Sequence, residues 1–188
     1  MGRTAMKWLL ALIMTGAIGV GIWSQVPKEE KRSLPRNIAN IGQNENVGLL
    51  RQLNAEWTMP DGYTLEEIEV DGIAMEWVQA KWEKPDKAVL QLHGGAYNRS
   101  LAVNGTTYRR AAVKYAEISG AGVLTVDYRV APEHPYPAAL EDALLAYNWL
   151  LDQGYEPEDI IVAGDSAGGG LTLATALYLR DHDMPLPA

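Results

Sequence analysis

Gly164-Asp165-Ser166-Ala167-Gly168 sets a serine between two glycines in the pattern G-x-S-x-G. With glycine near ~7% of residues and serine about as common, chance gives this pattern in roughly one chain of this length in twenty. Its meaning therefore comes from its surroundings. The apolar run Ile160–Ala163 reads as a strand entering the motif, and a small-residue helix leaves it. Strand, sharp turn and helix make the setting of a nucleophile elbow, which lifts the serine hydroxyl above the strand ends. The flanking glycines, Gly164 and Gly168, let the chain turn where side-chain bulk would clash. The helix N-terminus turns its positive end toward developing negative charge. A glycine-rich turn that cradles a phosphate is the competing reading.

Attack by a serine on an ester carbonyl creates an oxyanion, which needs hydrogen-bond donors already in place. His93-Gly94-Gly95-Ala96-Tyr97 follows another apolar run and offers backbone N–H groups that can approach a substrate closely. The N–H of Ala167, the residue after the serine, is a further candidate donor. His93 itself reads as a structural brace of this loop, because one side chain cannot both sit there and serve behind the nucleophile. A serine nucleophile also needs a histidine base oriented by a carboxylate. The three histidines are His93, His134 and His182. His134 falls in a proline-rich stretch. His182 lies between Asp181 and Asp183 at the far end of the helix that starts at Ala167, about 22 Å away at ~1.5 Å per residue. A general base must come within ~3 Å of its proton, so no complete triad is legible. Transfer of the acyl group to an alcohol rather than water stays open at this level.

The elements that must hold these residues can be read in outline. Leu65–Val70 and Ile73–Trp82 alternate in polarity and are joined by Asp71-Gly72, a pair suited to the positive φ angles of a type I′ hairpin turn. Strand-like Ala88–Leu92 comes next. Tyr108, Ala111, Ala112, Tyr115 and Ile118 trace one helix face; Val123–Val126 reads as a strand; Leu140, Ala143, Leu144, Tyr147 and Leu151 trace a second helix. Strands alternating with helices predict right-handed crossovers and a mostly parallel sheet, made mixed by the leading antiparallel hairpin. The fold class is α/β, with helices on both faces.

Charge divides the 188 residues into two regions. Five of the 16 bases and two of the 24 acids fall within residues 1–32, leaving 11 bases and 22 acids to the rest. An acidic body is a poor partner for a phosphate backbone, so no nucleic-acid binding is expected. Cysteine is absent, which excludes disulfides, thiolate metal sites and a cysteine nucleophile. Trp8–Trp23 runs 16 residues without a charge behind Arg3 and Lys7. Such a run suits an export signal or a membrane anchor, leaving membrane association through residues 8–23 open. The expected location is membrane-anchored or secreted, with a cytoplasmic location as the alternative. Residues 27–60 read as a polar linker with one short helix near 45–58, where Val47, Leu50, Leu53 and Trp57 share a face.

HGGAY (93–97) and GDSAGG (164–169), with DYRVAPEHPYPAALED (127–142) between them, resemble the hormone-sensitive-lipase family, the bacterial family IV esterases of the α/β-hydrolase fold. The likeness runs from about Met59 to Ala188. It implies Ser166 as nucleophile, with an oxyanion hole from the backbones of Gly94, Gly95 or Ala96, and Ala167. Gly164, Asp165, Gly168 and His93 belong to the supporting motifs, and Tyr128, Arg129 and Glu133 are implied to be structural. Ala96 stands where many members carry a third glycine. The implied activity is hydrolysis of small carboxylic esters with short to medium acyl chains, without cofactor or metal. The family places its acid and base well beyond the elbow, whereas this sequence stops 22 residues after Ser166. The reading is thus residues 1–26 as leader, 27–60 as linker and cap-like helix, and 61–188 as the N-terminal part of an α/β-hydrolase domain whose C-terminal part is missing. In that case Ile160–Ala163 becomes a sheet edge. A catalytically incomplete fragment, acting as a binding module or a remnant, is the alternative to an active esterase.

Overall fold

A computed structural model describes residues 56–82 and 84–188. The expected leader with its apolar run 8–23, and the helix near 45–58 up to residue 55, lie outside them. Five strands form one sheet: β1 (Tyr63–Val70), β2 (Ile73–Ala80), β3 (Ala88–Leu92), β4 (Gly122–Val126) and β5 (Ile160–Gly164). Three helices connect or follow them: α1 (Leu101–Ser119), α2 (Ala138–Asp152) and α3 (Ala167–Asp181). The strand order is β1-β2-β4-β3-β5. β1 and β2 pair antiparallel through the expected Asp71-Gly72 turn, whose φ angles are 51° and 80°. β2 joins β4 antiparallel, and β3 pairs parallel with both β4 and β5.

The two faces of the sheet follow from strand periodicity. Ala88, Leu90 and Leu92 of β3, with Leu124 and Val126 of β4, meet Leu140, Tyr147 and Leu150 of α2 and Leu171 and Leu179 of α3 in one core. The intervening Gln91 turns to the other face, where its side-chain amide donates to the Tyr108 carbonyl of α1. Helices therefore cover both faces, and every residue of β3 and β4 is buried. Each fully buried leucine contributes roughly 1.5–3 kcal/mol.

One helix face differs from the sequence reading. On α1 the buried residues are Leu101, Tyr108, Ala112, Val113 and Ala116, while Tyr115 is 39% and Ile118 83% exposed. Small residues at 112 and 116 let the helix approach the sheet closely, so the buried stripe follows the alanines and leaves the bulkier side chains outside. Periodicity of size misled the reading; the helix itself was correctly located.

β5 is the outer strand of the described sheet, as expected. Ile160 is buried but Ile161 is 49% exposed, and the strand pairs only with β3. The residues after α3 turn back beneath it: Tyr147 donates its hydroxyl to the Pro185 carbonyl, and Ala188 N–H donates to Ile160 O at 2.9 Å. Because β3 and β5 are parallel neighbours, His93 after β3 and Ser166 after β5 emerge side by side at the carboxyl end of the sheet. This is where an open α/β sheet binds its ligands.

Candidate active site

Ser166 has φ 51° and ψ −117°, a conformation that costs a non-glycine residue ~1–3 kcal/mol and persists only where its surroundings enforce it. Its side is exposed, between the end of β5 and the first turn of α3. The two motif glycines are not in the left-handed region; their role is close approach. A Cβ at Gly164 would lie 2.3 Å from Gly168 O, and one at Gly168 would lie 2.0 Å from Leu92 O and 2.7 Å from His93 O. The start of α3 is thus seated directly on the carboxyl end of β3. The torsion falls on the serine, and the glycines make room for the contact that enforces it.

Beside the elbow, the 93–97 loop is held from several sides. Gly95, Ala96 and Tyr97 all have positive φ, at 133°, 56° and 58°. Asn98 N–H closes a turn onto Gly95 O, and Ala131 N–H donates to Tyr97 O at 2.7 Å. The latter bond ties the loop to the 127–142 segment, the support that the sequence assigned to it. Ala96 occupies a left-handed position that suits glycine, so its methyl adds backbone strain even though the position acts through its N–H.

The four candidate backbone positions do not share one state. Gly94 N–H donates to the Tyr108 hydroxyl at 2.7 Å, so this donor is already engaged. Gly95 and Ala96 N–H have no acceptor among the described residues. Ala167 is the first residue of α3, where a helix leaves its N–H groups unpaired. Tyr108 in turn donates to Asp165 Oδ1 at 2.9 Å. The sequence placed Tyr108 only on a buried helix face and missed this bridge. The available signal was that a buried tyrosine must pair its hydroxyl.

His93 is the residue expected to brace this loop. It is fully buried and stacks on Tyr128 at 3.9 Å with an interplanar angle of 3°. Its Nδ1 lies 2.9 Å from Gly94 O, which makes Nδ1 the protonated nitrogen, and Nε2 has no hydrogen-bond partner. Burial pushes its pKa below the ordinary value of 6.5, outweighing the opposing effects of the Gly94 hydrogen bond and of Asp127 and Asp165. The Tyr128 hydroxyl donates to His93 O at 2.5 Å. Arg129 forks onto buried Asp142, with Nη2 2.7 Å from Oδ1, and its own N–H donates to Oδ2. Tyr128 and Arg129, implied to be structural, both make internal hydrogen bonds. Glu133 is exposed and makes no such contact among the described residues.

Neither of the other histidines makes a hydrogen bond to Ser166 among the described residues. His134 is exposed in a turn, its N–H donating to Val130 O. His182 ends the 15-residue helix that Ser166 begins, about 22 Å along its axis at ~1.5 Å per residue. There it stacks on Tyr178 at 3.9 Å.

Comparison with known proteins agrees with this geometry. Residues 89–188 match a family model described as an alpha/beta hydrolase fold. An acetyl-hydrolase of Streptomyces hygroscopicus is 40% identical over 122 residues, covering 63% of this chain and 40% of that protein. The crystal structure of EstE5 soaked with p-nitrophenyl butyrate superposes with a TM-score of 0.63 at 39% identity, covering 84% of this chain and 51% of the other. An esterase from the bacterial hormone-sensitive lipase family gives a TM-score of 0.61 at 36% identity, with the same coverage of 84% and 51%. The chain spans about half the length of those solved proteins and less than half of the acetyl-hydrolase. The strand order, the strained serine and these likenesses converge, and the chain belongs to the α/β-hydrolases, in the hormone-sensitive-lipase family.

Proposed function

We propose that this chain supplies the nucleophile and the oxyanion donors for hydrolysis of small carboxylic esters with short to medium acyl chains. Ser166 Oγ attacks the ester carbonyl as its proton passes to a base, which returns it to the leaving alcohol, and the oxyanion rests on the N–H groups of Gly95, Ala96 and Ala167. Collapse breaks the bond to the alcohol, which leaves with a proton, and water then cleaves the acyl-serine to acid and free Ser166. Gly94 serves as an anchor, its N–H being committed to Tyr108. The observation that carries this reading is Ser166 held at φ 51°, ψ −117° at the head of α3, beside a loop with two unpaired N–H groups.

A catalytically incomplete fragment is the second reading, and the histidines favour it. His93 is a buried brace, His134 is at the surface, and His182 lies at the far end of α3. A p-nitrophenyl ester separates the two. Its leaving group is a stabilised phenolate that departs without a general acid, so beside the nucleophile and the donors acylation needs only a base for the Ser166 proton, for which solvent water is the weakest acceptor. Mixing the full chain with p-nitrophenyl butyrate is expected to give a burst of p-nitrophenolate that Ser166→Ala abolishes. Identical traces from the two proteins would leave the incomplete fragment.

Among the described residues no helix is long and apolar enough to cross a membrane. The uncharged run Trp8–Trp23 behind Arg3 and Lys7 supports an exported or membrane-held protein.

A further inference from the structure

Three separate parts of the chain meet at the Tyr108 hydroxyl. It accepts the Gly94 N–H from the loop after β3, and it donates to Asp165 Oδ1, the residue before Ser166. The tyrosine is itself fixed to the sheet, its buried ring packed 5.7 Å from His93 and its carbonyl receiving the Gln91 amide. Gly94 has no room for a side chain: a Cβ there would lie 2.7 Å from Asp165 Oδ2 and 3.1 Å from the Tyr108 hydroxyl oxygen. The bridge therefore runs through van der Waals contact as well as hydrogen bonds.

We infer that Tyr108 is a positioning residue for ester cleavage, a clasp that sets the distance between the oxyanion loop and the nucleophile elbow by holding Gly94 and Asp165 at once. This rests on the reading of Ser166 as nucleophile and Gly95 and Ala96 as donors. The loop consists of three consecutive residues at positive φ, and the elbow holds a strained serine. Neither has the regular hydrogen bonding of a helix or strand to set its position against the other. The strand pairing brings β3 and β5 to adjacent places but ends at Leu92 and Gly164. Beyond it, among the described residues, Tyr108 is the side chain bonded to both. Burial pushes its hydroxyl up to about pKa 12, so it remains a proton donor to Asp165 across the neutral and mildly alkaline range.

The test compares the full chain with Tyr108→Phe, Asp165→Ala, Asp165→Asn and Ser166→Ala on p-nitrophenyl butyrate, recording the acylation rate constant, the half-saturating ester concentration and the urea unfolding midpoint. Phenylalanine keeps the packing of the ring and removes only the clasp. A misplacement of order 1 Å can cost about 100-fold in rate, so Tyr108→Phe is expected to slow acylation by about 10- to 100-fold. The half-saturating concentration should change by less than about twofold, since ground-state ester binding does not use the oxyanion spacing. Asp165→Asn, whose amide oxygen can still accept from the phenol, should lose less than Asp165→Ala. Unchanged acylation in Tyr108→Phe overturns the inference while leaving Ser166 as nucleophile. Rate, half-saturation and unfolding midpoint falling together overturn it in favour of a general structural role. If the unmodified chain matches Ser166→Ala, the ester reading fails first and the clasp has no reaction to serve.

Discussion

Gly168→Ala is the substitution on which the packing of the elbow depends most sharply. The added Cβ would sit 2.0 Å from Leu92 O, 2.6 Å from Leu92 C and 2.7 Å from His93 O. All three are backbone atoms at the end of β3, so no side chain can swing aside. Ordinary contact begins at about 3.4 Å, which requires α3 to retreat from β3 by about 1.4 Å. That movement breaks the seating of α3 on the sheet and is expected to cost about 3 kcal/mol, the upper part of the usual overpacking range. At a urea m value of ~2 kcal/mol per M, the unfolding midpoint falls by about 1.5 M. Because α3 carries Ser166 and β3 carries the oxyanion loop, acylation should fall by about 100-fold as well. Gly105→Ala is the control. It lies inside α1, with nothing within 4 Å of the added Cβ, and should stabilise by about 0.5–1 kcal/mol. Both proteins would be followed by urea unfolding at equilibrium and by p-nitrophenolate release. A Gly168→Ala midpoint equal to that of the parent would refute the close-approach argument.

Other consequences are open to direct measurement. Ala96→Gly relieves a left-handed φ of 56° and should raise stability by about 0.5–1 kcal/mol after the added freedom of the unfolded chain is counted, measurable as a higher urea midpoint. Arg129→Ala leaves the buried Asp142 carboxylate with only a backbone donor, and should destabilise by about 1–3 kcal/mol, since the arginine is partly screened by solvent. His93, its pKa lowered by burial, gives a pH dependence of fixed sign. The unfolded chain takes up the proton first, so stability is full above pH 6.5, falls as pH drops through 6.5, and stops falling below the lowered folded value. Unfolding midpoints taken from about pH 8 to about pH 5 should show this slope, and His93→Gln should flatten it.

How much was legible beforehand depended on the range of the interaction. The Asp71-Gly72 hairpin, Ala88–Leu92 and the elbow strand were readable because turn chemistry and apolar runs are local signals. The burial of α1 was read one face too far round, since size pointed to Ile118 while close packing selects Ala112 and Ala116. Gly164 and Gly168 were read as positions where side-chain bulk would clash, but not what they would clash with: Gly168 meets the end of β3, more than 70 residues earlier, and Gly164 meets Gly168 itself. The Tyr108–Asp165 bond joins residues 57 apart in sequence. No periodicity or motif spacing encodes such a pair, and only the strand order brings it together. The commitment of Gly94 N–H was hidden for the same reason.

Ser166 is proposed to become acylated, and the acyl-serine itself is the most direct test. The full chain would be mixed with p-nitrophenyl butyrate, quenched in acid within the burst, digested and mapped by mass spectrometry. One butyryl group is expected on the peptide containing Ser166, and none in Ser166→Ala. A butyryl group on another residue, or no adduct on Ser166, would contradict it.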